Sequence, residues 1–234
     1  MSGTVSIISA AMALSAERLQ AASENFANIS TPGYKARVAL PASVGFSAAL
    51  DRVDMEQQPS MLDRSHGAPV HTGRTLDLYI DGESYFQVHT DQGVAYTRRG
   101  DFRLDATGTL VSASGHPVVG NGGEIRLPSE DVTVLDDGRI QFEGETISVL
   151  SMADLGDQAQ LVMSPEGFIR SLSPARPADS GFRVLQGQLE ASNVRAALEM
   201  ANLMETARHF SLSAQALRAH DEMLSIGIDG LGQF

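Results

Sequence analysis

The chain has 234 residues, of which 42% are hydrophobic and 20% are charged, and it contains no cysteine. Disulfides, thiol catalysis and cysteine-ligated metal sites are therefore excluded, and the chain is too apolar to be wholly disordered. Its net charge of -12 disfavours binding to nucleic acid, which is itself a polyanion. No stretch approaches 18 uninterrupted apolar residues, so we predict no membrane insertion.

Residues 1–30 predict an N-terminal helix. Residues 4–29 contain neither proline nor glycine, and Thr31-Pro32-Gly33 is expected to end the helix. Apolar or small residues recur at alternating steps of four and three, which is typical of a helix face that packs against another helix. This stripe consists of Ile8, Met12, Ser15, Leu19, Ala22, Phe26 and Ile29.

The middle of the chain has a different pattern. Residues 31–74 predict an extended connector, because prolines recur there without a helical period, with one short helix around residues 47–53. Residues 75–185 alternate short runs of β-forming residues with turn dipeptides such as Asp81-Gly82 and Asp137-Gly138. The pattern predicts a central antiparallel β domain, either a barrel or a sandwich.

Residues 186–234 predict a C-terminal helix with a stripe of the same kind, interrupted only by Asp221. We therefore expect a mixed α and β fold in which the two terminal helices form a coiled-coil-like core. A single pair of such helices has many small residues along its seam and would be marginally stable. The pattern predicts helices that are labile in the monomer and become ordered in a polymer. The second stripe consists of Leu203, Ala207, Phe210, Ala214, Leu217, Leu224, Ile228 and Leu231.

Catalytic signatures are missing from the sequence. The six histidines form no HExxH or H-x-x-x-H pair, and no G-x-S-x-G motif marks a serine nucleophile. Asp136-Asp137-Gly138 could provide paired carboxylates, but its place between two β runs favours a hairpin turn. We expect no enzymatic activity, no cofactor and no metal.

Three segments resemble bacterial flagellar rod and hook proteins. The first is residues 25–35, where an Asn-rich helix end is followed by Thr-Pro-Gly-Tyr-Lys. The second runs from Arg74-Thr75-Leu76-Asp77-Leu78 through residues 96–110, with Tyr96-Thr97-Arg98 and several glycines. The third, residues 187–210, resembles the C-terminal helix of the family. Each motif is modest, but together they span most of the chain in the order found in the family.

The resemblance implies a structural subunit of the flagellar basal-body rod, which transmits torque from motor to hook. It implies export by the flagellar type III apparatus without signal cleavage, and assembly in the periplasm with copies of itself and with neighbouring rod subunits. The first charges, Glu17 and Arg18, follow a serine-rich start, which agrees with the lack of a secretory signal. Short length and the sequence Ala207-Arg208-His209-Phe210 are most similar to proximal rod proteins, with distal rod proteins as the alternative.

The stripes and the shared motifs together predict the contacts of assembly. The turn at residues 31–35 is expected either to contact a neighbouring subunit or simply to end the helix. The predicted interface residues are Ile8, Met12, Leu19, Phe26, Asn28, Thr31, Gly33, Tyr34, Lys35, Asn193, Val194, Leu203, Phe210, Leu217, Leu224 and Ile228.

A secreted β-rich protein that binds or hydrolyses carbohydrate is an alternative from another class. Such a protein needs exposed aromatic residues or two carboxylates that face a cleft. The chain has no Trp and only four Tyr, which disfavours this alternative.

Overall fold

The computed structural model of the protein describes residues 2–38, 61–156, 161–164, 167–178 and 181–231. Helix α1 spans Ser2–Ala27 and helix α2 spans Ala196–Leu231. The short helix predicted around residues 47–53 lies outside the described residues. Within the described ranges, neither helix is long and apolar enough to cross a membrane.

Between the helices, the described residues form short strands of two to six residues. They are β1 (Arg37–Val38), β2 (Met61–Leu62), β3 (Pro69–His71), β4 (Leu78–Gly82), β5 (Tyr85–Thr90), β6 (Gly93–Thr97), β7 (Arg103–Leu104), β8 (Leu110–Val111), β9 (Val119–Gly120), β10 (Gly123–Glu124), β11 (Thr133–Val134), β12 (Arg139–Phe142), β13 (Glu145–Val149), β14 (Met152–Asp154), β15 (Leu161–Met163), β16 (Ile169–Ser171), β17 (Arg176–Pro177), β18 (Phe182–Gln186) and β19 (Gln188–Glu190).

The chain divides into two compact units. The helical unit comprises the described residues of Met1–Ala27, Arg37–Glu56 and Arg195–Phe234, and the β unit comprises those of Asn28–Ala36 and Gln57–Val194. The β unit therefore includes the turn that follows α1. It also extends beyond residues 75–185, the limits expected for the β domain.

A six-stranded sheet lies at the centre of the β unit, in the order β15-β16-β6-β5-β14-β17. Antiparallel pairing of β5 and β6 places Val88 opposite Ala95. Phe86 and Val88 are fully buried, and the Phe86 ring meets the Phe102 ring edge to face at 5.0 Å. Burial of these side chains stabilises the unit by about 1.5–3 kcal/mol each.

The predicted turns lie between strands. Gly138 donates its amide hydrogen to the carbonyl oxygen of Leu135 at 2.9 Å, and Asp137 accepts from the amide of Arg139 at 3.1 Å. This turn joins β11 and β12, which pair antiparallel. Asp136-Asp137-Gly138 is therefore a hairpin turn.

The expected fold class is wrong in two respects. First, the central region is not a closed barrel, because the described strands fall into one six-stranded sheet and several smaller ones. The largest sheet has free ends at β15 and β17, so it does not close on itself. The reason is the length of the strands, since segments of two to six residues interrupted by turns provide too little continuous ladder to close a barrel.

Second, the terminal helices pack on each other, but they do not show a coiled-coil core. In α1 the best-buried described residues are Ala21, Ala22 and Asn25, of which Ala22 belongs to the predicted stripe. Ile8, Met12, Ser15 and Leu19 of the stripe are half-buried. Phe26 of the stripe keeps 38% of its surface exposed. Polar Asn25 lies on the packed face, where it forms hydrogen bonds with the main chain of Arg37 and the side chain of Glu199, so this contact is not a continuous apolar seam.

Candidate assembly surfaces

The turn after α1 is closed by its own hydrogen bonds. Thr31 donates its amide hydrogen to the carbonyl oxygen of Asn28 at 3.1 Å, and Tyr34 donates to the carbonyl oxygen of Thr31 at 3.3 Å. The Thr31 hydroxyl also donates to the side-chain oxygen of Asn28 at 3.1 Å. These contacts account for the Asn-x-x-Thr spacing of the first motif.

Gly33 occupies a position that only glycine fits. Its φ angle is +63°, and its amide donates to the carbonyl oxygen of Glu190 at 2.7 Å. A Cβ atom there would lie 2.4 Å from the carbonyl carbon of Arg98. The glycine thus allows the turn to pass against the main chain of the β unit.

Lys35 is buried in an ionic cluster, here called the Glu190 cluster and defined by Lys35, Glu190 and Arg98. Lys35 Nζ lies 2.7 Å from Glu190 Oε1 and donates to the carbonyl oxygen of Ser65 at 2.7 Å. Gly67 donates its amide hydrogen to the same carboxylate oxygen at 2.9 Å. Burial lowers the pKa of Lys35 from its ordinary value, while the Glu190 carboxylate opposes that shift.

Arg98 completes the Glu190 cluster. Its Nε lies 3.5 Å from Glu190 Oε2, as an ion pair rather than a hydrogen bond. Its guanidinium donates to the carbonyl oxygen of Gly82 and to His66 Nδ1, at 2.5 and 2.6 Å. It also lies over the ring of Tyr85 at 5.3 Å, and burial raises the pKa of that phenol.

Asn193 ties the turn to the segment that precedes α2. Its side-chain oxygen accepts from the amide of Ala36 at 2.7 Å, and its amide group donates to the carbonyl oxygen of Asp63 at 2.8 Å. Beside it, Tyr34, Ala36 and Val194 form a small buried cluster. The N- and C-terminal motifs therefore meet inside the β unit.

These contacts use several predicted interface residues within the chain itself. The side chains of Tyr34, Lys35 and Val194 are buried, as is Gly33, while Asn28, Thr31 and Asn193 are half-buried. That the turn contacts a neighbouring subunit stays a prediction. Lys35 and Asn193 do not need a neighbour to satisfy their hydrogen bonds.

In the helical unit, Asn25 joins both helices to the segment after the turn. It donates to the carbonyl oxygen of Arg37 at 3.0 Å and to Glu199 Oε1 at 3.3 Å, and it accepts from the amide of Arg37 at 2.8 Å. Arg37 also forms an ion pair with Glu24. Since Asn25 ends α1 and Glu199 begins α2, the two helices that pack on each other run antiparallel.

The predicted stripes lie along the flank shared by the two helices. Ile8, Met12, Leu19, Leu203 and Leu217 are half-buried. Phe26 and Phe210 keep 38% and 36% of their surfaces exposed. Much of the stripe is thus covered within the chain, by contact between α1 and α2. The side chains of Leu224 and Ile228 lie outside the described residues.

A second apolar surface, outside the predicted stripe, lies on α2. Leu198, Met204, Leu212 and Met223 are between 53% and 67% exposed. Large apolar residues outside the stripe are the signal that identifies this surface, because a helix with one packing partner needs only one apolar face. We call Leu198, Ala201, Met204, Arg208 and Leu212 the outer face of α2.

Comparison with known proteins relates both units to one family. Residues 79–142 match the model of the flagellar hook protein FlgE/F/G D1 domain, and residues 185–229 match that of the C-terminal region of the flagellar basal body rod FlgEFG proteins. The chain is 32% identical to the flagellar basal-body rod protein FlgG of Bacillus subtilis, over 88% of this chain and 90% of that protein. The chain belongs to the flagellar basal-body rod protein family.

Other rod proteins align over similar lengths. FlgF of Rhizobium meliloti is 30% identical over 96% of this chain and 95% of its own length. FlgF of Escherichia coli is 29% identical over 85% of this chain. Similarity to both FlgF and FlgG identifies a structural subunit of the basal-body rod without separating proximal from distal members.

The two family models match parts of the β unit and of α2 in this rod protein. The match over residues 79–142 lies within the β unit and covers the central strands β5 and β6. The match over residues 185–229 includes β19, which carries Glu190, and most of α2. The Glu190 cluster therefore combines side chains from both matched regions with Lys35 of the turn.

Proposed function

We propose that this rod protein is a proximal rod subunit of the FlgF type, which assembles through its terminal helices and transmits torque from motor to hook. The observation that carries the proximal assignment is the alignment with FlgF of Rhizobium meliloti, which spans 95% or more of both chains. The distal rod remains the alternative, favoured by the 32% identity to FlgG.

Two structural properties support a mechanical role. Antiparallel α1 and α2 pack on each other and provide a stiff element. The Glu190 cluster and Asn193 hold the turn after α1 in place within the β unit through polar contacts. Force applied to the turn is therefore carried into a folded domain rather than into a loose linker.

We also propose that the protein is a structural subunit rather than an enzyme, as its similarity to flagellar basal-body rod proteins suggests. Among the described residues, no group of three histidine or acidic side chains is placed to hold a metal ion. The buried ionic residues hold main-chain groups, as Arg98 does with Gly82 and Lys35 with Ser65. We propose that the protein binds its own copies and neighbouring rod subunits, and that it is exported by the flagellar type III apparatus.

Deletion of the protein followed by complementation tests this function. Basal bodies isolated from the deletion strain should lack a complete rod in electron micrographs, and wild-type protein should restore rod and swimming. Leu217→Asp should fail to restore them, because a carboxylate at this half-buried position disrupts the contact between α1 and α2. Leu217→Met, which preserves an apolar side chain, serves as the matched control and should restore swimming.

The position of the protein tests the proximal assignment. Gold-labelled antibody on isolated basal bodies should mark the rod at its motor end. Labelling at the hook end would replace the proximal with the distal assignment. A deletion strain that builds normal rods and swims would contradict the proposed function as a whole.

A further inference from the structure

The turn between β9 and β10 contains the only Asn-Gly pair of the sequence, Asn121-Gly122. Gly120 and Gly123 pair with each other across this turn, and the two residues at its tip are exposed. An asparagine side chain can be attacked by the main-chain nitrogen of the residue that follows it. A glycine in the following position leaves that nitrogen unshielded, because glycine has no side chain.

Both groups that would react are free within the part of the chain that the structure describes. No described residue forms a hydrogen bond with the side chain of Asn121, and none accepts the amide hydrogen of Gly122. The main-chain nitrogen of Asn121 is held, since it donates to the carbonyl oxygen of Val149 at 3.0 Å. The carboxamide of Asn121 and the nitrogen of Gly122 are thus neighbours that are exposed to water and have no competing partner.

The main chain of the turn is also able to rearrange. Gly122 does not have a positive φ angle, and a Cβ atom on it would meet nothing within 4 Å. Glycines precede and follow Asn121 and tolerate many main-chain conformations. The turn can therefore reach the geometry in which the Asn121 side chain closes onto the next nitrogen.

The other four asparagines lack this combination. Each is followed by a bulky side chain that shields the next nitrogen: Phe26, Ile29, Val194 or Leu203. The side chains of Asn25 and Asn193 are also held by hydrogen bonds. Asn202 lies within α2, where amide groups bond to the preceding turn of the helix.

The hairpin turn at Asp137-Gly138 shows the opposite arrangement. Gly138 donates its amide hydrogen to the carbonyl oxygen of Leu135 at 2.9 Å, so its nitrogen is engaged. The hydrogen bond from the amide of Arg139 holds the pKa of Asp137 below its usual range. Because an ionised carboxylate resists attack by a nucleophile, this turn is protected where the turn at Asn121 is not.

We propose that Asn121 is a site of spontaneous deamidation in the folded protein. The nitrogen of Gly122 loses its proton and bonds to the carboxamide carbon of Asn121, which closes a succinimide ring. The bond from that carbon to the side-chain nitrogen breaks, and ammonia leaves with the proton. Water then adds to either carbonyl of the ring and opens it to aspartate or isoaspartate. Neither step needs an oxidant, a reductant or an enzyme.

The modification changes both the charge and the main chain of the turn. Either product carries a new carboxylate, and isoaspartate also adds a methylene to the main chain between Gly120 and Gly123. Gly120 lies close against β13, since a Cβ atom on it would come within 2.7 Å of the carbonyl oxygen of Val149. A longer turn should therefore disturb the hydrogen bond from Asn121 to Val149. This inference does not depend on the proposed function, and the converted fraction increases with the age of the molecule.

Peptide mapping of the purified full chain tests the proposal. Trypsin cleaves after Arg103 and Arg126, and Asn121 has the only carboxamide side chain in the peptide of residues 104–126. After incubation at mildly alkaline pH, this peptide should gain the mass by which water exceeds ammonia. An enzyme that cleaves before aspartate but not before isoaspartate should distinguish the two products. An unincubated sample is the reference, and the peptides that carry the other asparagines should keep their mass.

Gly122→Ala is the matched variant. A Cβ atom fits at this position but shields the attacking nitrogen, so this variant should lose most of the conversion. Asn121→Gln is a second variant, in which the longer side chain would have to close a larger and less favourable ring, and it should lose most of the conversion as well. Circular dichroism checks that both variants are folded.

The pH dependence gives an independent measurement on the wild-type protein. Conversion should become faster as the pH increases, because the attacking group is the deprotonated nitrogen of Gly122. Three results would overturn the proposal: an unchanged mass of the wild-type peptide, equally fast conversion in Gly122→Ala, and conversion only after the protein is unfolded in urea. The first and third would show that the folded turn protects Asn121, and the second that Gly122 is not the nucleophile.

Discussion

At the scale of single residues, Glu190 holds two buried cations at once. Its side chain is 1% exposed, as are those of Lys35 and Arg98. A buried charge is stable only when it is paired and hydrogen-bonded, and breaking such a pair costs more than replacing it with apolar residues. The stability of the Glu190 cluster thus depends on all three of its side chains.

Glu190→Gln should destabilise the β unit strongly. The amide keeps the size of the side chain but leaves Lys35 and Arg98 without an anion, which we expect to cost about 3–5 kcal/mol in the free energy of unfolding. Urea denaturation of the purified protein measures this change. The double variant Glu190→Gln, Lys35→Met should lose less free energy of unfolding than Glu190→Gln alone, because one of the two unpaired cations is then removed. Equal stability of wild type and Glu190→Gln would contradict the structural role of the cluster.

Gly33→Ala should also destabilise the protein, by more than about 2 kcal/mol. The new methyl group would meet the main chain of Arg98, and a φ of +63° costs a residue with a side chain about 1–2 kcal/mol in addition. Gly73→Ala is the matched control, because Gly73 has a φ of +73° but open space around its Cβ position. Thermal or urea unfolding compares the two variants. A loss no larger than that of the control would show that the close contact with Arg98 is unimportant.

At the scale of the elements, α2 carries apolar residues on two faces, of which one is half-buried and the other exposed. The face with Leu203 and Leu217 is half-buried and contacts α1 within the chain. The outer face with Leu198 and Leu212 is exposed and is available to other subunits. Apolar residues therefore lie around much of the circumference of α2, whereas a helix with one packing partner needs them on one face.

The two faces predict different effects of the same substitution. Leu217→Asp should reduce helicity of the dilute monomer, because it places a carboxylate between α1 and α2. Leu212→Asp should leave monomer helicity unchanged, since Leu212 is 61% exposed, but should still prevent rod assembly. Far-ultraviolet circular dichroism of the monomers, with electron microscopy of basal bodies, measures both effects. Loss of helicity in Leu212→Asp and not in Leu217→Asp would reverse the assignment of the faces.

At the scale of the whole molecule, the chain contains a well-packed β unit and a thinner helical unit. Phe86, Val88 and Val118 are fully buried in the former, whereas Ala21 and Ala22 are the apolar side chains of α1 that reach comparable burial. Burial of alanine contributes little compared with burial of phenylalanine or valine. The helical unit should therefore be the less stable of the two in isolation.

Hydrogen exchange of the dilute monomer tests this difference. We expect slow exchange at the amides of β5 and β6, which lie inside the six-stranded sheet, and faster exchange along α1 and α2. Mass spectrometry of peptic fragments measures it, and the same peptides in isolated basal bodies provide the comparison. Helices as protected in the monomer as in the rod would contradict a helical unit that is stabilised by assembly.

Local signals in the sequence predict the two helices, the turn after α1 and hairpin turns such as Asp137-Gly138, but residues 188–190, predicted as part of the C-terminal helix, form β19. They are readable because helix periodicity, Thr-Pro-Gly and Asp-Gly act over a few neighbouring residues. The ordered motifs also establish the family. The prediction of a barrel was wrong because strand runs define where strands lie, whereas closure depends on how distant strands pair.

Tertiary structure alone decides what the motif residues touch. Lys35 and Glu190 are 155 residues apart, and no local pattern indicates that their side chains meet beside Arg98. In the same way, no local pattern indicates that Asn25 lies on the packed face of α1, bonded to Arg37 and Glu199. Packing also decides which face of α2 stays exposed, because a helix can turn only one side toward a given partner.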